Sequence, residues 1–264
     1  MTDLILHLEN LLADIEALDT LHDCHPDKKA IHRLRVRIKM LKALVILLKW
    51  YFHDLDPDVL HATKKLFKRA GVVRDWQLLA EFVRRSGANE KVLQELKKLL
   101  RDKEDKAYKQ YQSACRKLKK DSVKKIKFLL KPYIARMKEQ PQAYFEKAAS
   151  DISAQLMEKQ MPDKSLHKIR REVKMLLYNL KLFYDEGSLP DYLPFQHLFL
   201  SKADKLLGSW HDATVAEGLL QKISASDELT RAAKEAVLQI VGAAAASANA
   251  SRLKFKYDIN QYQK

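Results

Sequence analysis

Apolar residues return every three or four positions through most of the chain, the spacing that places them on one face of an α-helix. The pattern predicts an amphipathic helix over 2–22, a second capped by Asp27 and running to about Tyr51, and a third over 57–85 closed by Gly87. A long fourth helix is expected from about Asn89 to Leu130, with Pro132 ending it. Pro141 then sits where a first-turn proline belongs, opening a helix to about Gln160, followed by helices over 165–185, 193–222 and 227–258. Four helices are thus followed by four more, and the fold class expected is all-α.

The two sets carry matching sequence. The second helix of the first set reads IHRLRVRIKMLKAL from Ile31, and its counterpart reads LHKIRREVKMLLYNL from Leu166. At an offset of 135, His32 meets His167, Arg35 meets Arg170, Lys39 meets Lys174 and Met40 meets Met175. The following helices align at an offset of 137, pairing Lys65 with Lys202, Lys68 with Lys205, Gly71 with Gly208, Arg74 with His211 and Asp75 with Asp212. Two ordered blocks at nearly equal spacing indicate a tandem duplication. We read a single domain over 1–264, made of a four-helix repeat at 1–132 and another at 133–264, with a pseudo-twofold axis between them.

Composition agrees with long helices. The 264 residues are 47% hydrophobic, enough to fill a core, yet include only 6 Gly and 7 Pro, too few for the frequent turns of a β-rich fold. The two cysteines, Cys24 and Cys115, stand in unrelated contexts and form neither a disulfide framework nor a zinc knuckle. The N-terminus lacks the basic start of a signal peptide, and no stretch approaches the roughly 20 apolar residues of a membrane span. A soluble, cytoplasmic protein is expected.

Charge narrows the choice of partner. The 49 Lys and Arg against 34 Asp and Glu leave a net charge of +15, and between Lys91 and Lys131 alone 15 basic residues face 5 acidic ones. That segment reads most simply as a solvated helix face. On a wheel turning about 100° per residue, His32, Arg35, Lys39 and Lys42 fall in one narrow stripe. It lies beside an apolar seam of Leu34, Ile38, Leu41, Val45 and Leu48. His167, Arg170, Lys174 and Lys181 form the matching stripe, beside Ile169, Val173, Leu176, Leu180 and Phe183. Lys65 with Lys68, and Lys202 with Lys205, add a second row in each half. Neither stripe contains an acid, so these are not ordinary i,i+4 ion pairs. Like charges converging on a central basic cavity repel one another and are sensible only around an anion. Arg offers planar bidentate donors to phosphate oxygens and Lys mobile point charges. Gly71 and Gly208, inside helical pattern, suggest close approach of a neighbouring helix or a kink.

The repeated H-x-x-R-x-x-x-K block, each followed some forty residues later by a glycine-containing (R/H)-D block, resembles the CHAD domain, the histidine α-helical domain family. The resemblance covers nearly the whole chain. It implies two four-helix halves around a basic cavity, binding of inorganic polyphosphate and association with polyphosphate granules. The family's basic positions carry over to His32, Arg35, Lys39 and Lys42, and to His167, Arg170 and Lys174. The chain departs from the family pattern at Met40, Met175 and Leu177, where Arg or Lys is frequent. It departs also at Lys181, where an acid is common, and at Arg171, usually apolar. The metal-binding E-x-E-x-K signature of the CYTH triphosphatase domain that accompanies many relatives is absent, which reads as a stand-alone CHAD protein.

Function is therefore expected to be non-enzymatic binding of inorganic polyphosphate, with no cofactor and no metal. Binding is expected to fall with salt and, through His32 and His167, to tighten as pH drops through the histidine range. A nucleic-acid-binding protein is the alternative that net charge permits, but the stripes lack the aromatics that single-strand binding uses. A metal-dependent phosphohydrolase, suggested by His211-Asp212 with His167 and His197, lacks paired carboxylates and a nucleophile–base arrangement.

Overall fold

The computed structural model describes residues 4–19, 28–87, 89–116, 120–137, 141–158, 160–185 and 189–262. Among these it contains nine α-helices and no strand: α1 Leu4–Asp19, α2 Lys28–Tyr51, α3 His61–Arg85, α4 Glu90–Cys115, α5 Lys120–Arg136, α6 Gln142–Leu156, α7 Asp163–Leu180, α8 His197–Ser224 and α9 Arg231–Tyr262. A 3₁₀ turn over Pro57–Leu60 leads into α3, with the Asp56 carboxylate accepting from the Asp58 amide at 2.8 Å. Asp27 and Cys24 lie outside the described residues, and Cys115 is buried at the end of α4.

The all-α expectation holds, and its details shift. The predicted helix over 89–130 is two helices, because α4 stops at Cys115 and α5 starts at Lys120. The run from Arg116 to Lys120 carries four basic residues in five. The chain has already left the helix at Arg116, although the apolar spacing itself does not lapse there. Pro132 lies inside α5 and does not end it. It stands on the exposed face, where the carbonyl left without its amide partner can reach water. Gly87 takes a φ of +69°, which suits the residue that closes α3.

Compactness divides the chain into two units that do not follow the sequence halves. One unit comprises Met1–Ala70 and Gln112–Asp204, the other Gly71–Tyr111 and Lys205–Lys264. In the first, α1 packs on α2 and α5, α2 packs on α7, and α6 packs on α7. Its core includes both apolar seams: Leu34, Leu41 and Leu48 of α2 are fully buried, as are Ile169, Val173 and Leu176 of α7 to within 1%. Asn179, also fully buried, donates to the Ala43 carbonyl and the Tyr144 hydroxyl, each at 3.0 Å, and so ties α7 to α2 and α6. In the second unit, Leu79, Val83, Leu96, Leu100, Leu220 and Val237 form the centre of a separate apolar core. The Glu95 carboxylate accepts from the amide and hydroxyl of Thr230 at 2.7 and 2.8 Å, fixing the start of α9.

Candidate functional site

The packing of α2 on α7 brings the two cationic stripes to one concave site in the first unit. A pocket of about 540 Å³ opens among α2, the beginning of α3 and α7. From α2 come Lys39, Lys42 and Lys49, from α3 Lys64, and from α7 His167, Arg170, Arg171 and Lys174. No aspartate or glutamate lines it. The seams explain the placement: with Ile38 and Val45 turned into the core of the unit, Lys39 and Lys42 stand on the flank beside them, and α7 repeats this with Arg170 and Lys174 beside Ile169 and Val173.

Lys39 is the electrostatic focus. Burial, foremost, and the positive charges of Arg35, Arg170 and Lys174 push its ammonium pKa from 10.5 down to about 8, and Asp204 opposes them. Lys174 is held by that same Asp204, a residue of α8, at 2.6 Å. One cation of the expected acid-free ladder is therefore paired with a carboxylate supplied by another helix. Burial, with a lesser part from Asp204, also pushes the Tyr178 hydroxyl up to about 12.

Of the residues expected from sequence, the pocket is lined by Lys39, Lys42, His167, Arg170 and Lys174. Arg35 lies behind its wall: the guanidinium sits over the Phe67 ring, 4.5 Å from the centroid, and donates to the Phe67 carbonyl at 3.1 Å. Phe67 itself lines the pocket, so Arg35 positions that wall and raises the local potential. His32 is exposed on α2 and does not line the pocket. Lys65 and Lys68 are exposed on α3 outside the lining, which takes Lys64 and Phe67 from that helix. Lys181, just past the end of α7, and Lys202 and Lys205 on α8 are exposed and likewise outside it. Lys49, Lys64 and Arg171 were not selected from sequence. Lys49 is three turns of stripe beyond Lys39 and was legible by extension, while Lys64 was displaced by its neighbour Lys65, the one that aligns with Lys202.

Gly208 does not serve a close helix approach, since a Cβ built there meets nothing within 4 Å. Among the described residues, no three His, Cys, Asp or Glu side chains gather where they could hold a metal ion. Nor is any described helix long and apolar enough to cross a membrane.

Comparison with known proteins bears on the fold and the family. The sequence model of the CHAD domain matches residues 6–221. The crystal structure of the CHAD domain from the plant Ricinus communis superposes with a TM-score of 0.71 at 21% identity, covering 96% of this chain and 89% of that one. PptA from Streptomyces chartreusis superposes with a TM-score of 0.61 at 15% identity, covering 97% and 99% respectively. No curated protein sequence matches the chain.

Proposed function

Because the chain belongs to the CHAD domain family, a family associated with polyphosphate, we propose that it binds inorganic polyphosphate in the α2–α3–α7 pocket without hydrolysing it. The observation that carries this reading is the lining: eight basic side chains and no carboxylate, with Lys64 and Lys174 reaching carboxylates outside it, on Asp58 and Asp204, and a central lysine whose affinity for a proton is lowered first by burial and then by the cations around it. Such a cluster is stabilised by an anion, whose oxygens supply the negative charge that the pocket walls lack. Arg170 offers a planar fork to two phosphoryl oxygens, and Lys39, Lys42 and Lys174 supply point charges. On this reading the duplicated halves, 1–132 and 133–264, contribute four basic side chains each, Lys39, Lys42, Lys49 and Lys64 from one and His167, Arg170, Arg171 and Lys174 from the other. Arg35 acts by holding Phe67. His32, Lys65, Lys68, Lys181 and Lys202, outside the lining but in the same unit, add to its positive field and so help draw a long polymer in, while Lys205 belongs to the other unit and takes no part in the site. Association with polyphosphate granules in the cytoplasm follows from the same affinity.

The test is a calorimetric titration with polyphosphate of defined length at two salt concentrations, with pyrophosphate and DNA as competitors. Tight binding that weakens steeply with salt, and that DNA displaces poorly, is the expected result. The double replacement Lys39→Ala with Arg170→Ala should lower affinity at least a hundredfold while leaving the helical circular-dichroism signal intact. Unchanged affinity in that variant removes the pocket from the proposal.

A further inference from the structure

The pocket has a second face that a bare phosphate polymer does not use. Ile38, Val45 and Ile46 of α2, Leu60 and Phe67 at the start of α3, and Met175 of α7 line it together with the cations. An inorganic oxyanion laid against that wall loses its hydration and finds no donor there. The wall also offers nothing to read a base or a sugar. Its one hydroxyl, on Thr63, is turned back to donate to the Leu60 carbonyl at 2.9 Å. Its one aromatic ring, Phe67, has a face already covered by the Arg35 guanidinium. What remains is an aliphatic surface beside a phosphate-binding surface, in a volume typical of small-molecule sites.

The neighbouring cavity marks where the aliphatic wall ends. A second pocket of about 390 Å³ shares Lys42, Ile46, Arg171 and Met175 with the first, and continues past Tyr144, Ala148 and Leu176 to Asp151 and Glu172. Asp151 and Glu172 are paired with Lys147 and Lys168, so this end offers a polyanion no excess of cations to follow and a hydrocarbon no extension of the aliphatic wall.

We propose that the pocket takes a phosphate or diphosphate ester of an aliphatic alcohol, with its phosphoryl oxygens among Lys39, Arg170 and Lys174 and its hydrocarbon against Ile38, Val45, Leu60 and Phe67. This rests on the reading of the site as a phosphate site and names the ester that fits it. Each buried methylene should strengthen binding roughly threefold until the wall is covered.

The experiment uses the whole chain and labelled tripolyphosphate, displaced by inorganic pyrophosphate and by methyl, butyl and octyl diphosphate below their micelle concentrations. The expected result is displacement that improves with alkyl length and then levels off. In Ile46→Ser, on the exposed edge of the wall, the ratio of octyl to inorganic affinity should fall at least threefold. Vesicles of phosphatidic acid should displace the label no better than the same lipid phosphorus as inorganic phosphate, because their tails stay in the bilayer. A flat alkyl series with pyrophosphate still bound overturns the ester and leaves the polyphosphate reading standing, as does displacement by vesicles alone. Failure of tripolyphosphate and of every diphosphate to bind overturns both.

Discussion

At the scale of single residues, Lys39 decides most of what the pocket does. In the folded protein its ammonium faces Arg35 on its own helix, Arg170 and Lys174 on α7, and the Asp204 carboxylate on α8, and it titrates near pH 8 against 10.5 for an unhindered lysine. A bound phosphate raises that value again, so the complex takes up a proton. Affinity should therefore hold below pH 8 and fall as pH rises through 8 to 9.5, with proton uptake visible as buffer-dependent heat in calorimetry. A flat profile there would release Lys39 from the site. The stability sign is opposite to that of an ordinary ion pair. The folded value lies below the unfolded one, so this group's penalty is complete below pH 8 and is relieved between about 8 and 10.5. Lys39→Met should then weaken anion binding at least tenfold while raising Tm of the free protein by a few degrees, since one of several crowded cations disappears. Asn179 is the contrasting residue. Asn179→Leu leaves the Ala43 carbonyl and Tyr144 hydroxyl without their donor in the core, at a cost of about 1–3 kcal/mol, read as a loss of several degrees in Tm. The sequence does not mark this asparagine, because one polar residue amid helical spacing looks like any solvated position until the helix opposite it is known.

Elements were legible where burial sets a period, and illegible where a local property breaks it. The seams Leu34–Leu48 and Ile169–Leu180 were readable because water exclusion repeats every three to four residues whatever the tertiary arrangement. The end of α4 at Cys115 left no trace in that period, because the apolar spacing runs on past the turn at Arg116. Pro132 misled for the converse reason: a proline ends a helix only if the vacated carbonyl has nowhere to go, and on an exposed face it does. Within the site, the stripes on α2 and α7 were readable from the repeat. The choice of Lys64 and Phe67 on α3 was not, because it depends on how the helix rolls against its neighbours after the 3₁₀ turn. Gly208 is the clearest case of a repeated residue without a packing cause. Lying inside α8 with open space at its Cβ, it should accept alanine with a gain of about 1 kcal/mol, seen as a higher denaturation midpoint. If Gly208→Ala destabilises instead, the repeat at this position has a reason other than helix packing. Thr230→Ala should have the opposite sign, losing about 1 kcal/mol as the hydroxyl no longer donates to Glu95 or accepts from the Ala233 amide, while the Thr230 amide keeps its bond to Glu95.

For the whole molecule, net charge and compact units set where ligand energy is felt. A chain of +15 that gathers cations around Lys39 and Arg170 is less stable empty than it would be with those charges dispersed, and an anion returns that stability on binding. At a hundredfold excess over Kd, a ligand of the folded state alone adds about 2.7 kcal/mol, several degrees in Tm for a chain of this size. All the lining of the pocket belongs to the unit built from Met1–Ala70 and Gln112–Asp204. Hydrogen exchange should therefore slow on polyphosphate addition in α2, the first turns of α3 and α7, where the bound anion opposes local opening. The amides of α9, in the other unit, report a different quantity, because they open with the core of Leu220 and Val237. Slowing confined to the pocket helices means that the ligand resists local opening only. Equal slowing in α9 means that its amides exchange through global unfolding, and the increment then measures the binding free energy directly. Slowing in α9 with none in α2 or α7 places the anion outside the pocket, and the lining cations would lose their assigned role.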